Sequence, residues 1–268
     1  MISVIMATYN RADTLQRAID SVVRQSHGDW ELIIVDDGST DATPEVLESL
    51  IDSRIRVCRH PHNRGMHAAK NTGLDHIRGE WFTTLDADDE MVSEALEVML
   101  TCAERTGATA ITCNGLDTST GRFSGVGPTT DGWLTPEQAA RCRGDFWGMT
   151  RTSLVGDLRW DERVPNHQAP VWIKINRKAR RYYLHRALAI IHTEGADRIT
   201  RATRAADLPR KIATYVYIGE DGEYLGELKR VDPSGHRHLM VRVRAARILR
   251  PLLGLVPPSG QRSGDRAS

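Results

Sequence analysis

The sequence is poor in cysteine, and its Cys58, Cys102, Cys113 and Cys142 form no CxxC pair. Such wide spacing argues against a zinc cage and a disulfide framework, so the thiols are read as reduced and structural. No apolar run approaches the roughly 18 residues of a membrane-crossing helix. Met1 leads straight into ISVIMATYN with no basic n-region, so a cytoplasmic location is expected, with contact at the inner face of a membrane left open. Charge of one sign is also missing: 36 Lys and Arg face 35 Asp and Glu, a net charge of +1. No global field draws the chain to nucleic acid, and a charged partner must be met by a local patch. Neither GxGxxG nor GxxxxGK occurs, so a phosphate site would be built from side chains and metal instead of a glycine cradle. There is no internal repeat.

What is present is a 268-residue chain with 40% apolar residues, enough to fill the core of one large domain or of a domain with a substantial tail. Strand-length apolar runs alternate with helix-period segments through residue 115. ISVIMA (2–7), WELIIVD (30–36), IRVCR (55–59), EWFTTLD (80–86) and ATAITCN (108–114) read as strands; 12–26, 43–51, 66–77 and 91–105 read as helices. This order predicts an α/β fold with a mainly parallel central sheet and helices on both faces. Ligands of such sheets bind at the carboxyl ends of the strands, where this chain carries TYNR, DDGSTD, HNRG and DADDE. Four separate segments would deliver their polar groups to one rim.

Beyond 115 the pattern loosens. GLDTSTGRFSGVGPTTDG (115–132) reads as a loop or hairpin, either a lid over the rim or a plain surface excursion. Residues 136–142 look helical, 145–152 extended and 169–180 helical, with KINRKARR (174–181) complementing a helix dipole or attracting a phosphorylated acceptor. Strand-like stretches near 212–218 and 223–230 precede a basic amphipathic segment at 241–256, which would lie on an anionic membrane, on its own domain or on a second subunit.

Crowded carboxylates need compensation by a cation, a helix N-terminus or water. For Asp86 and Asp88 the economical answer is Mg²⁺ or Mn²⁺, hard ions that accept one or two carboxylates together with substrate phosphates. Asp89 and Glu90 read as capping and charging the helix expected after 91. Asp36 and Asp37 suit ribose hydroxyls or a base N–H, with Ser39 to Asp41 forming a turn and cap. Arg64 and Lys70 near a helix N-terminus suit a diphosphate.

VIMATYNR, IIVDDGSTD, NRGMHAAKNTGL and LDADDE, in that order and spacing, resemble family 2 glycosyltransferases of the GT-A fold, strongly over 2–90 and less closely to about 195. The resemblance implies inverting transfer of a sugar from a nucleotide diphosphate donor, usually uridine-linked, to a hydroxyl acceptor, lipid-linked or small. It implies a transferase domain over 1–204, with a nucleotide-sugar half (1–115) and an acceptor half (116–204), followed by a basic extension (205–268); a homodimer is allowed. Carried over by position, Thr8, Tyr9, Arg11, Asp36, Asp37, Arg64, Lys70 and Asp86 would hold the nucleotide. Asp86 and Asp88 would be the DxD pair, with Asp88 the direct metal ligand. His192, in IIHTEG beside Thr193 and Glu194, would complete the metal shell or serve as a structural histidine.

The family's base, usually an Asp in a Glu-Asp pair before a Trp-bearing helix, has no counterpart here. In WDERVPNHQAPVWIKI (160–175), counting back from Trp172 places that pair on His167 and Gln168. Three readings stay open: His167 as base, with an ordinary pKa of about 6.5; Asp161 or Glu162 through a remodelled loop; or a silent site marked by Gln168. His167 is preferred, although a surface-loop histidine reads equally well.

Overall fold

The computed structural model describes residues 1–164, 167–193 and 208–252. The chain divides into two units, Met1–Ala196 and Asp197–Ser268. In the first, β1 (Ile2–Thr8), α1 (Ala12–Val23), β2 (Trp30–Asp36), α2 (Thr43–Glu48), β3 (Ile55–Arg59), α3 (Met66–His76) and β4 (Trp81–Thr84) follow the expected alternation. Next come β5 (Glu90–Met91), α4 (Ala95–Thr106), β6 (Ala110–Asp117), the short β7 (Arg122–Phe123), β8 (Gly125–Val126) and β9 (Gly132–Leu134), and α5 (Pro136–Arg141). The unit closes with β10 (Arg143–Gly144), β11 (Phe146–Arg151), α6 (Ala169–Lys178) and β12 (Arg181–Ile191).

The main sheet runs β3-β2-β1-β4-β11-β6-β12-β5. The first four strands are parallel, and β11 lies antiparallel between β4 and β6. Two reversals restore the direction, so β6 points the same way as β4 and their carboxyl ends share a rim. The segment after 115 begins as a hairpin, with β7 returning antiparallel on the end of β6.

Both parities of the strands are buried, the physical reason these runs are continuously apolar. Val4, Met6, Leu32 and Ile34 pack on one face with Leu15 and Ile19 of α1 and with Leu96 and Met99 of α4. Ile5 and Phe82 pack on the other with Leu74 of α3, Trp160, and Val171 and Ile175 of α6. Truncating Phe82 to Ala there would remove about 3 to 5 kcal/mol. Helix α3 lies so close to the sheet that a Cβ at Gly73 would meet Ile5 Cγ2 at 2.3 Å.

The second unit corrects the sequence reading. The stretches expected as strands near 212–218 and 223–230 are helices, α7 (Leu208–Ile218) and α8 (Gly222–Val231), followed by α9 (Pro233–Leu252). IATYVYI has strand propensity, but Ile212 and Val216 are one helical turn apart and bury with Ala246 of α9, a contact that outweighs intrinsic preference. Asp221 caps α8 by accepting from the backbone N–H of Tyr224 at 2.9 Å. Among the described residues no helix is long and apolar enough to cross a membrane.

Candidate active site

Thr8 ends β1 opposite Asp36, which ends β2. The loops that follow are stitched together: Asn10, with a left-handed φ of 52°, donates its N–H to Ser39 Oγ at 2.9 Å and accepts from Thr40 N through Oδ1 at 2.8 Å. Asp36 is fully buried; Oδ1 accepts from Ser39 N at 2.9 Å and Oδ2 pairs with Arg59 Nε at 3.2 Å. Asp37 is equally enclosed. It accepts from His60 Nδ1 at 2.7 Å, Arg64 N at 2.9 Å and Gly65 N at 2.7 Å, which takes most of its roughly four lone-pair directions. Asp37 thus binds the β3–α3 loop to the rim. Gly38 is required beneath that loop: its φ is 75°, and a Cβ would lie 2.6 Å from the His62 carbonyl carbon. Thr8 Oγ1 is buried on the same rim without a hydrogen-bond partner, a deficit of about 1 to 3 kcal/mol that a bound polar group would remove. Tyr9, the next residue, is exposed.

At the end of β4 the chain turns. Leu85 and Ala87 point inward and are buried, so the intervening Asp86 and the following Asp88 face outward. The Asp86 side chain is 59% exposed, and its one ion-pair partner among the described residues is Lys70 Nζ of α3 at 3.3 Å, from a side chain only 5% exposed. Asp88 is 34% exposed and faces Arg11 Nε at a loose 3.9 Å. Arg17 Nη2 donates to the Asp88 carbonyl at 2.8 Å and Thr14 Oγ1 to that of Ala87 at 3.0 Å, so α1 secures the backbone of the turn and leaves its carboxylates outward.

Asp89 and Glu90 do not cap a helix, contrary to the sequence reading. Helix α4 begins only at Ala95, because Glu90 and Met91 pair with Ile190 and Ala189 of β12. Asp89 Oδ1 accepts from the backbone N–H of His192 at 2.9 Å, and Glu90 Oε1 bonds His192 Nε2 at 2.8 Å. These acids tie the end of β12 to the carboxylate turn. His192 therefore stands beside the DxD turn with Nε2 committed to Glu90; Glu194, read with it, lies outside the described residues. Among the described residues no cluster of three or more His, Cys, Asp or Glu could cage a metal.

The buried face of α3 carries residues that sequence reasoning missed. His67 Nδ1 donates to the Asp161 carbonyl at 2.8 Å. Asn71 exchanges hydrogen bonds with the Trp160 backbone at 2.8 and 2.9 Å, and Arg64 pairs with Glu162 at 3.1 Å. The segment 160–162 is thus clamped beside Lys70. Burial pushes the His67 pKa down, keeping the imidazole neutral, and its Nε2 is enclosed without a partner. The spacing of His67, Lys70 and Asn71, one turn apart in a helix whose alanines also face inward, was the available signal.

The base candidates occupy the approach to α6. The Asp161 carboxylate is gripped by Arg163, Nε to Oδ1 and Nη2 to Oδ2, both at 2.9 Å. Glu162 is engaged by Arg64 and Asn71. Gln168 is the N-cap of α6 and its carbonyl accepts from Val171 N and Trp172 N at 3.2 and 3.3 Å. Trp172 meets Trp160 edge-on, centroids 6.2 Å apart. The His167 N–H reaches the Val164 carbonyl at 3.4 Å.

A parallel half-sheet whose rim carries outward carboxylates is joined to a mixed half that bears the α6 segment, and the fold is of the GT-A type. Two solved structures share the fold: S. aureus TarS 1-349 in complex with UDP-GlcNAc, at TM-score 0.71 and 18% identity over 93% of this chain and 74% of that one, and mannosyltransferase PcManGT from Pyrobaculum calidifontis in complex with GDP-Man and Mn2+, at TM-score 0.61 and 18% identity over 95% and 76%. The family model "Glycosyl transferase family 2" matches residues 3–154, and the chain belongs to that family. A curated relative, the GalNAc(5)-diNAcBac-PP-undecaprenol beta-1,3-glucosyltransferase of Campylobacter jejuni, is 32% identical over 227 residues, covering 81% of this chain and 71% of that protein.

Proposed function

We propose that this glycosyltransferase moves a sugar from a uridine diphosphate donor to a hydroxyl of a lipid-linked acceptor, with inversion and with Mn²⁺ or Mg²⁺ bound at Asp86 and Asp88. The observation that carries the reading is the outward Asp86–Asp88 pair on a rim that also holds the unpartnered Thr8 hydroxyl and the buried Lys70 amine. The donor set fits the ion: two hard carboxylate oxygens, one only loosely paired, suit a cation that takes its remaining ligands from diphosphate and water. Such an ion supplies Lewis-acid stabilisation of the departing diphosphate. TarS was solved with UDP-GlcNAc and PcManGT with Mn2+, which supports the donor class and the metal. The name of the C. jejuni relative puts its acceptor on undecaprenol diphosphate, which supports a lipid-linked acceptor.

In this reading Thr8 and Tyr9 receive the nucleoside against the corner that Asp36 and Asp37 build, and Lys70, Arg64 and Arg11 offer positive charge to the diphosphate. The acceptor oxygen attacks the anomeric carbon opposite the leaving phosphate, the C1–O bond breaks, and the acceptor proton passes to a base. His167 is that base: the guanidinium fork of Arg163 occupies both carboxylate oxygens of Asp161, Glu162 is engaged by Arg64 and Asn71, and an amide cannot take a proton.

A second reading follows from Gln168: a sugar-nucleotide binder with little turnover. Thermal shift with UDP, GDP, dTDP and CDP, with and without Mn²⁺, followed by turnover on the best donor, tests both. Saturation at ~100 times the dissociation constant should stabilise by about 2.7 kcal/mol. Metal-dependent stabilisation by none of the four nucleotides would sink both readings. Full activity in His167→Ala would remove His167 as base, and activity appearing only in Gln168→Glu would favour the silent binder.

A further inference from the structure

We propose that the outer face of α9 docks the chain on an anionic phospholipid bilayer. The inner face of this helix is accounted for: Val243 and Ala246 are buried, Ala246 with Ile212 and Val216 of α7, and a Cβ at Gly219 would press on Val243 Cγ1 at 2.4 Å. Arg242 bonds the Tyr215 hydroxyl at 3.1 Å and Arg247 the Gly219 carbonyl at 2.9 Å, so these two arginines follow the inner contact. On the opposite side Val241, Ile248 and Leu252 are 66%, 65% and 75% exposed. With Ala245 they recur every three or four residues and form one apolar stripe. Arg237 and Arg244, both exposed and without an ion pair among the described residues, flank that stripe.

Charge selects the occupant. The whole chain carries +1, whereas α9 contributes +5 from Arg237, Arg242, Arg244, Arg247 and Arg250 with no Asp or Glu, which leaves −4 for everything else. A second copy seating its own α9 on the stripe would bring Arg237 and Arg244 again, with no Asp or Glu on the helix to neutralise them, so this face opposes self-association through α9. A nucleic acid would satisfy the arginines but not the aliphatic centre. A membrane surface satisfies both, taking the aliphatic side chains at the acyl boundary and the guanidinium groups among anionic headgroups. The inference stands on α9 itself and gives a lipid-linked acceptor a two-dimensional search, without depending on the donor reading.

The test is co-sedimentation of the full chain with vesicles of phosphatidylglycerol mixed into phosphatidylcholine, against phosphatidylcholine alone. Binding should require the anionic lipid and weaken with salt. Arg237→Glu with Arg244→Glu should lower the partition coefficient on the order of 10-fold or more, and Ile248→Asp with Leu252→Asp should abolish binding. Unchanged thermal midpoints would show that both variants fold. Equal binding to neutral vesicles, no binding, or variants that bind like the parent would overturn the proposal, as would a parent dimer that Ile248→Asp makes monomeric. A UDP thermal shift on the same preparations reports on the donor reading separately.

Discussion

Two pairs of aspartates sit on the same rim, and their surroundings are opposite. Asp36 and Asp37 are buried and supplied with protein donors: a serine N–H, an arginine, a histidine and two loop N–H groups. Asp86 and Asp88 stand out from the chain, one paired among the described residues with Lys70 and the other with Arg11 at the limit of contact. Identical side chains therefore do different work. The first pair is enclosed, with most of the lone pairs of Asp37 filled, and builds the framework that carries the β3–α3 loop; the second faces outward with only an ion pair apiece among the described residues. A carboxylate whose lone pairs are filled by backbone N–H groups is structural even in a functional motif, while one held outward on a braced turn is available.

The comparison can be broken by substitution. Asp88→Ala should lower kcat/KM on the order of 10³-fold while leaving the thermal midpoint unchanged; an unfolded variant with Asp88 removed would erase the distinction. Asp37→Ala should do the reverse, stripping the acceptor from His60, Arg64 N and Gly65 N and destabilising by about 3 kcal/mol or more in urea titration. Full stability in that variant would place Asp37 with the ligand groups. Gly38→Ala should cost about 2 kcal/mol from left-handed strain, with a further contribution from the His62 backbone, read in the same titration.

The smallest effect concerns the α3 clamp. His67 is neutral in the fold, with its pKa lowered chiefly by burial, and takes up a proton readily only on unfolding, where its pKa returns to about 6.5. The unfolded state then binds more protons in acid, so this contribution to stability is intact above about pH 6.5 and is lost as pH falls below it toward the folded-state value. His67→Gln should flatten that part of the midpoint-versus-pH curve. An unchanged slope would show that the proton goes elsewhere.

The first half of the fold was legible because its strands are buried on both faces and so read as unbroken apolar runs, ISVIMA and WELIIVD most clearly, with helix periods between them. The carboxylate turn was legible as far as Asp88. It was misread at Asp89 and Glu90 because a pair of acids before a helix looks like a cap, whereas both bond His192, 102 residues beyond Glu90. IATYVYI was misread for a related reason: local propensity favoured a strand, and the partner that makes it a helix is Ala246. The clamp from His67 and Asn71 onto 160–162 was missed because polar residues on a helix are ordinarily assigned to solvent.

By itself the sequence determined the alternation of elements, the gathering of polar segments at one set of strand ends and the family to which they belong, because these depend on periodicity and short-range spacing. The tertiary structure alone decided which carboxylates are consumed and which remain open. The availability of a charged group depends on donors from distant segments and on burial, and the sequence around Asp37 and Asp86 records neither.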